Sequence, residues 1–445
     1  MLKDYLSRRQ NVVQGEASEL NTKLRAIAIA FDEAWLNSAD THPLQSLWQR
    51  QDALATNELL NFGDAVECLQ REEHAWLKGQ VRAIKTGDAG QSAGAIFEIL
   101  ALNLFSRQSC RVVPAPASMP GFDGTLLLND DSRVFVSVKN HGLSSREREF
   151  LAEAKAIDEE FRALLKAQGL RDLEVNVLAA KHLDSGLFTG LKTDIAQCLS
   201  EFMAGRQGGT LDRPYRIFLR NMAPQYGALS AFGLSSSCRI MAPIAPNEQA
   251  NFEDAIRKGC NNLYKHINSE TGDVCRMIIL RLSNTASIAK CHDWARWYFE
   301  EYPDDPIDVI LLYQSGVTTD AASDTSSITH YISFIPGPHF DNWRRKPDGS
   351  VRHLPNLSVL VGTISTQQPT MRLVDDEGNT LDMSGYYVYQ RADAYKKVDF
   401  RDGATTNLSN PASGIMIHAI FEHDGAAVMT ISSKAEREKV LALLP

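Results

Sequence analysis

A glutamate, an aspartate and a lysine follow one another in the first half of the chain in a pattern suited to phosphate chemistry. Glu98 is the only charged residue of an apolar, helix-like run, Asp123 precedes a short apolar segment, and Lys139 ends the next one. Carboxylates bind divalent cations such as Mg²⁺ or Mn²⁺, which activate water for attack. A lysine offsets the negative charge that develops on a phosphate. The three residues together predict metal-assisted hydrolysis of phosphodiesters.

The segments that carry Asp123 and Lys139 are predicted to pair as a β-hairpin. Both are rich in Val, Leu and Phe, and the sequence Asn-Asp-Asp-Ser between them is typical of a turn. The short turn sets Asp123 opposite residue 138 or 139, and therefore a few ångströms from Lys139. Side chains alternate along a strand, so the valines of the second strand share one face and four other residues share the opposite face: Arg133, Phe135, Ser137 and Lys139.

Glu98 and Lys139 each have a second interpretation that involves no chemistry. A carboxylate among Ala, Ile, Phe and Leu is costly to bury unless it is paired or bound to a metal, and this favours a functional Glu98. The alternative is a glutamate that reaches solvent at the edge of the helix. The alternative for Lys139 is a simple cross-strand ion pair with Asp123.

The elements around these residues follow the order α-β-β-β-α-β. A short strand at about 110–113 precedes the hairpin, and a charged helix over about 145–168 and a strand over about 173–180 follow it. In this order, and in the positions of Glu98, Asp123 and Lys139, the chain resembles the PD-(D/E)xK, or restriction-endonuclease-like, nucleases. The resemblance implies an accessory Glu98 on the first helix, a metal-binding Asp123, and Lys139 as the end of the (D/E)-x-K motif.

The chain departs from the family pattern in two places. Pro120 stands three residues before Asp123 instead of beside it. More seriously, Ser137 occupies the position of the carboxylate in (D/E)-x-K. A hydroxyl is a weak ligand for Mg²⁺, which prefers carboxylate oxygen and water. One interpretation is therefore a nuclease fold that has lost catalysis and is retained for binding.

The second interpretation is that the carboxylate has moved to the following helix. A branch of the family keeps Ser/Thr-x-Lys and takes a glutamate from that helix, and here thirteen residues stand between Lys139 and Glu153. Glu149, one turn earlier on the same face, is the fallback candidate. The helix holds many charges, so Glu153 on an ordinary solvated face is an equal alternative. The resemblance thus implies Mg²⁺ or Mn²⁺ held by Asp123 with Glu153 or Glu98.

Contacts to nucleic acid are expected from local cationic patches, because the net charge of the chain is −9 and nucleic-acid affinity depends on neutralised phosphates. Residues 343–346 rank highest, since an aromatic ring beside three cations suits base stacking and phosphate binding. For every candidate, an ordinary solvated loop is the alternative. The predicted contact residues are Ser137, Asn140, His141, Arg146, Trp343, Arg344, Arg345 and Lys346.

The composition is that of an ordinary globular protein, with 44% hydrophobic and 23% charged residues. Seven cysteines are scattered without a C-x-x-C pair, which favours reduced thiols in the cytoplasm. The first residues lack the apolar core of a signal peptide, and no apolar run is long enough to span a membrane. We therefore expect a cytoplasmic protein without membrane contact.

The pattern of elements predicts a mixed α/β (α+β) protein in three regions. Residues 1–85 show helical periodicity, residues 86–204 form the nuclease-like αβββαβ core, and residues 210–445 form a mixed α/β domain for recognition of substrate or partner. The leading hypothesis is a Mg²⁺-dependent nuclease, with DNA favoured over RNA and bacterial defence against phage as the setting. A protein activator or inhibitor and a homodimer are further expectations. The alternative is a catalytically silent module that binds nucleic acid or scaffolds a complex.

Overall fold

The computed structural model describes residues 17–38, 42–49, 53–105, 110–116, 118–119, 122–171, 173–206, 213–221, 236–267, 274–283, 286–320, 325–366, 372–374, 380–382, 384–390, 403–410, 415–422 and 427–433. The protein is a mixed α+β protein, as predicted. Its described residues form two compact units. The first unit contains the residues up to 142 and those from 249 to 368, and the second contains those from 143 to 248 and from 369 onward to 433.

The described part of the amino-terminal region, which begins at residue 17, is helical, as its periodicity predicts. Its helices are α1 (Ala17–Phe31), α2 (Glu33–Leu36), α3 (Pro43–Gln49), α4 (Ala53–Glu72), α5 (His74–Thr86) and α6 (Ala89–Asn103). Apolar side chains of α1 and α4 pack together, with the rings of Phe31 and Phe62 5.7 Å apart. Helix α6 begins at a capping box, in which Asp88 accepts from the Gln91 amide and the Gln91 side chain accepts in return from the Asp88 amide.

A seven-stranded mixed sheet forms the centre of the first unit, in the order β1-β2-β3-β7-β8-β9-β10. Strands β1, β2 and β3 are antiparallel neighbours, whereas β3, β7 and β8 run parallel to one another. The strands are β1 (Cys110–Pro114), β2 (Gly124–Leu128), β3 (Arg133–His141), β7 (Val274–Leu282), β8 (Val309–Asp320), β9 (Thr325–Pro336) and β10 (Thr363–Ser365).

The two faces of β3 are buried in different cores, as the alternation predicts. Val134, Val136 and Val138 belong to a core that they share with α6. Phe135 belongs to a second core, formed with helices α9 (Glu248–Ile267) and α10 (Ile288–Glu301). Both faces of this strand are therefore covered, which is usual where parallel strands meet in a sheet.

The parallel neighbour of β3 is not the strand that was predicted to end the αβββαβ core. The strand predicted to end the core, β4 (Leu173–Ala179), has no place in the seven-stranded sheet and pairs with β5 (Tyr215–Asn221) and β6 (Ser236–Pro243). The parallel neighbour of β3 is β7, which follows α9. Residues 143–248 of the second unit are thus inserted between β3 and the rest of the first unit.

The second unit contains a four-stranded sheet in the order β13-β6-β4-β5, with β13 spanning Tyr386–Gln390. Helices α7 (Ser145–Ala167) and α8 (Ser185–Met203) bury their apolar stripes with this sheet in one core. The buried Tyr389 hydroxyl donates to the Asp158 carboxylate at 3.1 Å. Each compact unit therefore combines segments that are distant in sequence, whereas each of the three predicted regions is one continuous segment.

The remaining described elements are short. Helix α11 (Phe340–Arg344) belongs to the first unit. Strands β11 (Arg372–Val374) and β12 (Thr380–Asp382) pair with each other, and β14 (Gly403–Asn410), β15 (Ile415–Glu422) and β16 (Ala427–Ser433) form an antiparallel sheet. None of the described helices has the length and apolar character needed to cross a bilayer.

Candidate active site

The candidate site lies where β2 begins beside the longer β3. Gly124 pairs with Val136, so β3 continues past the end of β2, and Asp123 occupies the next position. The Asp123 amide still donates to the Val136 carbonyl at 3.0 Å, and its carboxylate accepts the amide of Val138 at 2.6 Å. The Asp123 side chain thus replaces the backbone acceptor that β2 would have supplied, and this fixes the carboxylate at the edge of β3.

The backbone at Gly124 is closely packed behind the carboxylate. A Cβ atom at this position would lie 3.0 Å from a methyl group of Leu102 and 3.2 Å from the Val113 carbonyl oxygen. A side chain here would therefore require helix α6 or strand β1 to shift by a few tenths of an ångström.

Lys139 and Ser137 lie beside Asp123, as the hairpin geometry predicts. The Lys139 ammonium is 3.7 Å from Asp123 Oδ2 and donates to the Val138 carbonyl at 3.1 Å. Ser137 is fully buried, and its hydroxyl donates to the same Asp123 oxygen at 3.5 Å. The register differs slightly from the prediction, because Asp123 lies opposite Ser137 and not opposite residue 138 or 139. Lys139 stands two residues beyond Ser137 on β3, and its long side chain still reaches the Asp123 carboxylate.

Helix α6 brings Glu98 to the same place. Burial is the main cause that raises the pKa of Glu98 to about 7, and the negative charge of Asp123 also raises it, whereas Gln80 and Lys139 act in the opposite direction. Gln80, on α5, donates its side-chain amide to Glu98 Oε2 at 2.7 Å. Glu98 therefore interacts electrostatically with both other predicted residues instead of reaching bulk solvent as an isolated side chain.

The pKa of Asp123 is also raised, and burial is the main cause. Lys139, the Val138 amide and the Ser137 hydroxyl each lower the pKa and only partly offset this effect. Two neighbouring carboxyl groups that both resist ionisation would gain from a bound cation, since it neutralises their mutual repulsion.

The donor set fits a Mg²⁺ or Mn²⁺ ion held by few protein ligands. Mg²⁺ commonly binds through one or two carboxylates and keeps several water molecules, and Glu98 and Asp123 would supply two. In the part of the chain that the structure describes, no group of three His, Cys, Asp or Glu side chains is arranged to hold a metal. Ser137, buried beside Asp123, supplies a neighbouring hydroxyl oxygen.

The strand exit after Lys139 is anchored by a buried arginine that the sequence analysis missed. Arg281, on β7, is 1% exposed and donates to the Asn140 side chain at 3.0 Å. Its guanidinium lies 5.8 Å from the centre of the Phe97 ring, next to Glu98 in sequence. His141 packs edge-on against Phe252 at 5.6 Å. Asn140 and His141 thus have structural contacts in addition to the nucleic-acid role predicted for them.

The residues considered for a migrated carboxylate all belong to the second unit. Arg146 forms an ion pair with Glu149 at 3.0 Å, and Glu153 forms one with Lys192 of α8 at 3.5 Å. These side chains are between about one third and one half exposed. The structure therefore gives Glu153 a partner within its own unit, while the migration hypothesis stays a prediction.

The interpretation of residues 343–346 as a stacking platform requires a correction at Trp343. This ring is 7% exposed, packs against Phe340 at 5.7 Å, and so offers no open face to a base. Lys346 forms an ion pair with Asp130 at 2.6 Å. Arg344 and Arg345 are exposed and keep the predicted availability for phosphate.

Two residues of the site region were missed for a physical reason. Gln80 and Arg281 are distant in sequence from the hairpin, and their roles depend on which elements pack beside it. An arginine in the apolar run of β7 was a detectable signal, because a buried charge requires a partner. No protein-family model matches this chain, and a search of curated proteins also found no match, so the candidate site is defined by its own geometry.

Proposed function

We propose that the protein is a divalent-cation-dependent nuclease that hydrolyses phosphodiester bonds in nucleic acid. The observation that carries the proposal is the convergence of Glu98, Asp123 and Lys139 from three separate elements. Two carboxyl groups with raised pKa values beside one ammonium form a site that favours a divalent cation and a phosphate together.

The residues would divide the work according to their positions. Asp123 and Glu98 would hold Mg²⁺ or Mn²⁺, which when bound supplies a Lewis acid for the phosphoryl oxygen and a more acidic attacking water. Lys139 would bind the phosphate and offset the charge that develops on it. Gln80 orients Glu98 through its 2.7 Å hydrogen bond, and the Val138 amide orients Asp123.

A cleavage assay on the purified full-length protein tests this proposal. Supercoiled plasmid, single-stranded DNA and total RNA are each incubated with Mg²⁺, with Mn²⁺ or with EDTA. We expect cleavage of at least one polymer that depends on the cation and is lost in Asp123→Asn. Asp131→Asn is the matched control, because it makes the same change in the turn of the same hairpin, at a residue with φ of 63° that Asn tolerates well.

Ser137 motivates a second candidate function, a silent nuclease-fold module that binds nucleic acid. The hydroxyl stands where the family pattern has a carboxylate, and it is fully buried. Calorimetry with Mn²⁺ separates the two candidates. The nuclease binds Mn²⁺ and loses affinity in Asp123→Asn, whereas the silent module binds nucleic acid equally well in EDTA and cleaves no substrate.

A further inference from the structure

A buried arginine lies directly behind the exposed end of β3. Arg281 is 1% exposed, and it stands opposite Asn140 in the parallel register of β3 and β7. Its guanidinium donates to Asn140 Oδ1 at 3.0 Å. Asn140 itself is exposed. The pair therefore joins a buried cation to an amide at the surface of the protein.

The chemistry of arginine determines which way the Asn140 amide faces. A guanidinium has five N–H donors and no acceptor, so the end of the amide that faces it must be the oxygen. Burial lowers the pKa of Arg281 to about 10, which leaves the guanidinium protonated at neutral pH. The amide oxygen is therefore held inward, and the NH₂ group of Asn140, with its two donors, points away from Arg281.

The NH₂ group of Asn140 is available to a ligand. For the part of the chain that the structure describes, the bond from Arg281 is the only side-chain hydrogen bond of Asn140, and it uses the amide oxygen alone. The residue is exposed, so its two N–H donors can be reached from solvent. A ligand with acceptor oxygens that approaches the end of β3 can therefore bind them without displacing a protein contact.

Asn140 and Lys139 border the candidate site from the two faces of β3. Side chains alternate along a strand, so Asn140 shares the face of Val138, which packs with α6, and Lys139 takes the opposite face. Helix α6 carries Glu98 and also Phe97, whose ring centre is 5.8 Å from the guanidinium behind Asn140. A phosphate bound at the edge of β3 would therefore have the Lys139 ammonium on one side and the Asn140 amide on the other.

We propose that Arg281 is a positioning residue of the nuclease site, which holds the Asn140 amide so that its two N–H donors bind a phosphate of the nucleic acid. This inference rests on the proposed function and adds a second phosphate contact beside Lys139. Arg281 acts through Asn140 and does not touch the nucleic acid, because its guanidinium is buried. Hydrogen bonds to a charged group such as a phosphate are stronger than those between neutral groups.

Asn140→Asp separates the two ends of the amide. Aspartate keeps an oxygen for Arg281, so the variant should remain folded, but it replaces the two outward donors by a negatively charged acceptor. Fluorescence anisotropy measures binding of labelled duplex DNA, single-stranded DNA and RNA to the full-length protein. EDTA prevents cleavage, and at pH 6 Glu98 is largely protonated and repels phosphate less.

We expect Asn140→Asp to weaken binding of the preferred polymer by about tenfold or more, as loss of a hydrogen bond to a charged group implies. Asn261→Asp is the matched control, because it makes the same change of charge at an exposed position of α9 and should leave the affinity unchanged. Equal affinities of Asn140→Asp and the wild type overturn the inference. No binding of any polymer by the wild type overturns it as well.

Asn140→Ala tests the contact without a change of charge. It should weaken binding by about fivefold or more and leave the dependence of binding on salt unchanged, because a neutral donor releases no counterion. Lys139→Met, in contrast, should lower the slope of log affinity against log salt by about 0.9 for duplex DNA. Unchanged affinity in Asn140→Ala would contradict the contact.

Variants of Arg281 test the positioning role. Arg281→Met removes the donor that orients the amide and should weaken binding by about fivefold, whereas Arg281→Lys retains a donor and should preserve most of the affinity. In the Asn140→Ala background, Arg281→Met should cause no further loss, because the two residues act as one unit. Thermal unfolding establishes which variants are folded, and Arg281→Lys with Asn140→Asp decides the matter if Arg281→Met is not. An equal loss from Arg281→Met in both backgrounds would contradict the positioning role.

The measurements separate this inference from the proposed function. Cation-dependent cleavage tests the nuclease, whereas anisotropy in EDTA tests the contact of Asn140. Cleavage by the wild type together with equal affinity of Asn140→Asp overturns the inference and keeps the nuclease. Binding that depends on Asn140, without cleavage of any polymer, supports the phosphate contact and contradicts the nuclease.

Discussion

The carboxylate of Asp123 accepts the amide hydrogen of Val138 at 2.6 Å, at a point where β2 no longer pairs with β3. The side chain proposed to bind metal is thus also a member of the hydrogen-bond ladder of the sheet. Catalysis and stability can be separated at this residue by choosing substitutions that keep or remove the acceptor oxygen.

Asp123→Asn and Asp123→Ala should differ in stability and agree in activity. Both remove the carboxylate, so both should abolish cation-dependent cleavage. Asn retains an oxygen for the Val138 amide, whereas Ala leaves a buried donor unsatisfied at a cost of about 1–3 kcal/mol. Urea unfolding at pH 8 measures the difference. Because the pKa of Asp123 is raised, Asn should be at least as stable as the wild type at this pH. Cleavage by Asp123→Asn at near the wild-type rate would contradict the site assignment.

Glu98 should make the stability of the metal-free protein depend on pH. Its pKa is about 7 in the folded protein against an ordinary value of 4.5, so the folded state binds this proton more tightly than the unfolded state. Its stabilising contribution is complete below about pH 4.5 and is lost as the pH rises through about 7. We expect the unfolding midpoint in EDTA to fall between pH 5 and pH 8, and to fall less in Glu98→Gln, which retains an acceptor for Gln80. An identical pH dependence of the two proteins would count against the raised pKa.

Binding of Mn²⁺ should increase with pH over the same range, because the cation displaces the proton of Glu98. Calorimetry in buffers of different ionisation enthalpy should detect proton release near pH 6.5. Glu98→Gln should bind Mn²⁺ more weakly and release less proton. The same titration of Glu153→Gln tests the migrated carboxylate. A larger loss of affinity in Glu153→Gln than in Glu98→Gln would identify Glu153 as the second ligand.

Lys139→Met should abolish cleavage, with a loss on the order of 10²-fold or more, as for other groups that stabilise transition-state charge. Lys139 lowers the pKa of both Glu98 and Asp123, so its removal should also shift the pH at which Mn²⁺ binds to higher values. Arg133→Met is the matched control, because it removes one positive charge from the other end of the same strand. Comparable losses in the two variants would point to a general effect of charge on binding.

Arg281→Met should destabilise the protein more than Asn140→Ala does. Burial lowers the pKa of Arg281 to about 10, and Tyr313 and the charge of Glu58 act in the opposite direction. Removing the cation leaves the buried Glu58 carboxylate without a favourable charge nearby, in addition to removing the bond to Asn140, whereas loss of one hydrogen bond from Asn140 costs about 1 kcal/mol. Urea unfolding measures both values. A smaller loss in Arg281→Met than in Asn140→Ala would show that the bond to Asn140 is the only important contact.

The close approach of Asp123 and Lys139 was predictable from sequence because it depends on local features. Alternation along β3 and the turn at residues 129–132 determine it, and both are visible in the residue types. The one-residue difference in register arises at the turn, because five residues, 128–132, separate the last paired residues, Leu127 and Arg133, instead of the four residues of the predicted turn.

The parallel neighbour of β3 could not be identified in the same way. β4 and β7 are both short, apolar, β-branched strands that follow a helix, and the nearer one was selected. The choice between them depends on packing between residues that are far apart in the chain, which periodicity does not report. Burial of Trp343 was missed for the same reason, because its ring is covered by residues from other elements.

The insertion between β3 and β7 has a consequence for how the chain folds during synthesis. β3 leaves the ribosome long before its parallel neighbour, because residues 143–248 and α9 come first. During this interval, one edge of an apolar, valine-rich strand has no native partner, and such edges are sites of misassembly. Contacts of this sequence separation also slow folding. The nascent chain should therefore depend on chaperones until β7 is synthesised, and truncation after residue 248 should yield an aggregation-prone product.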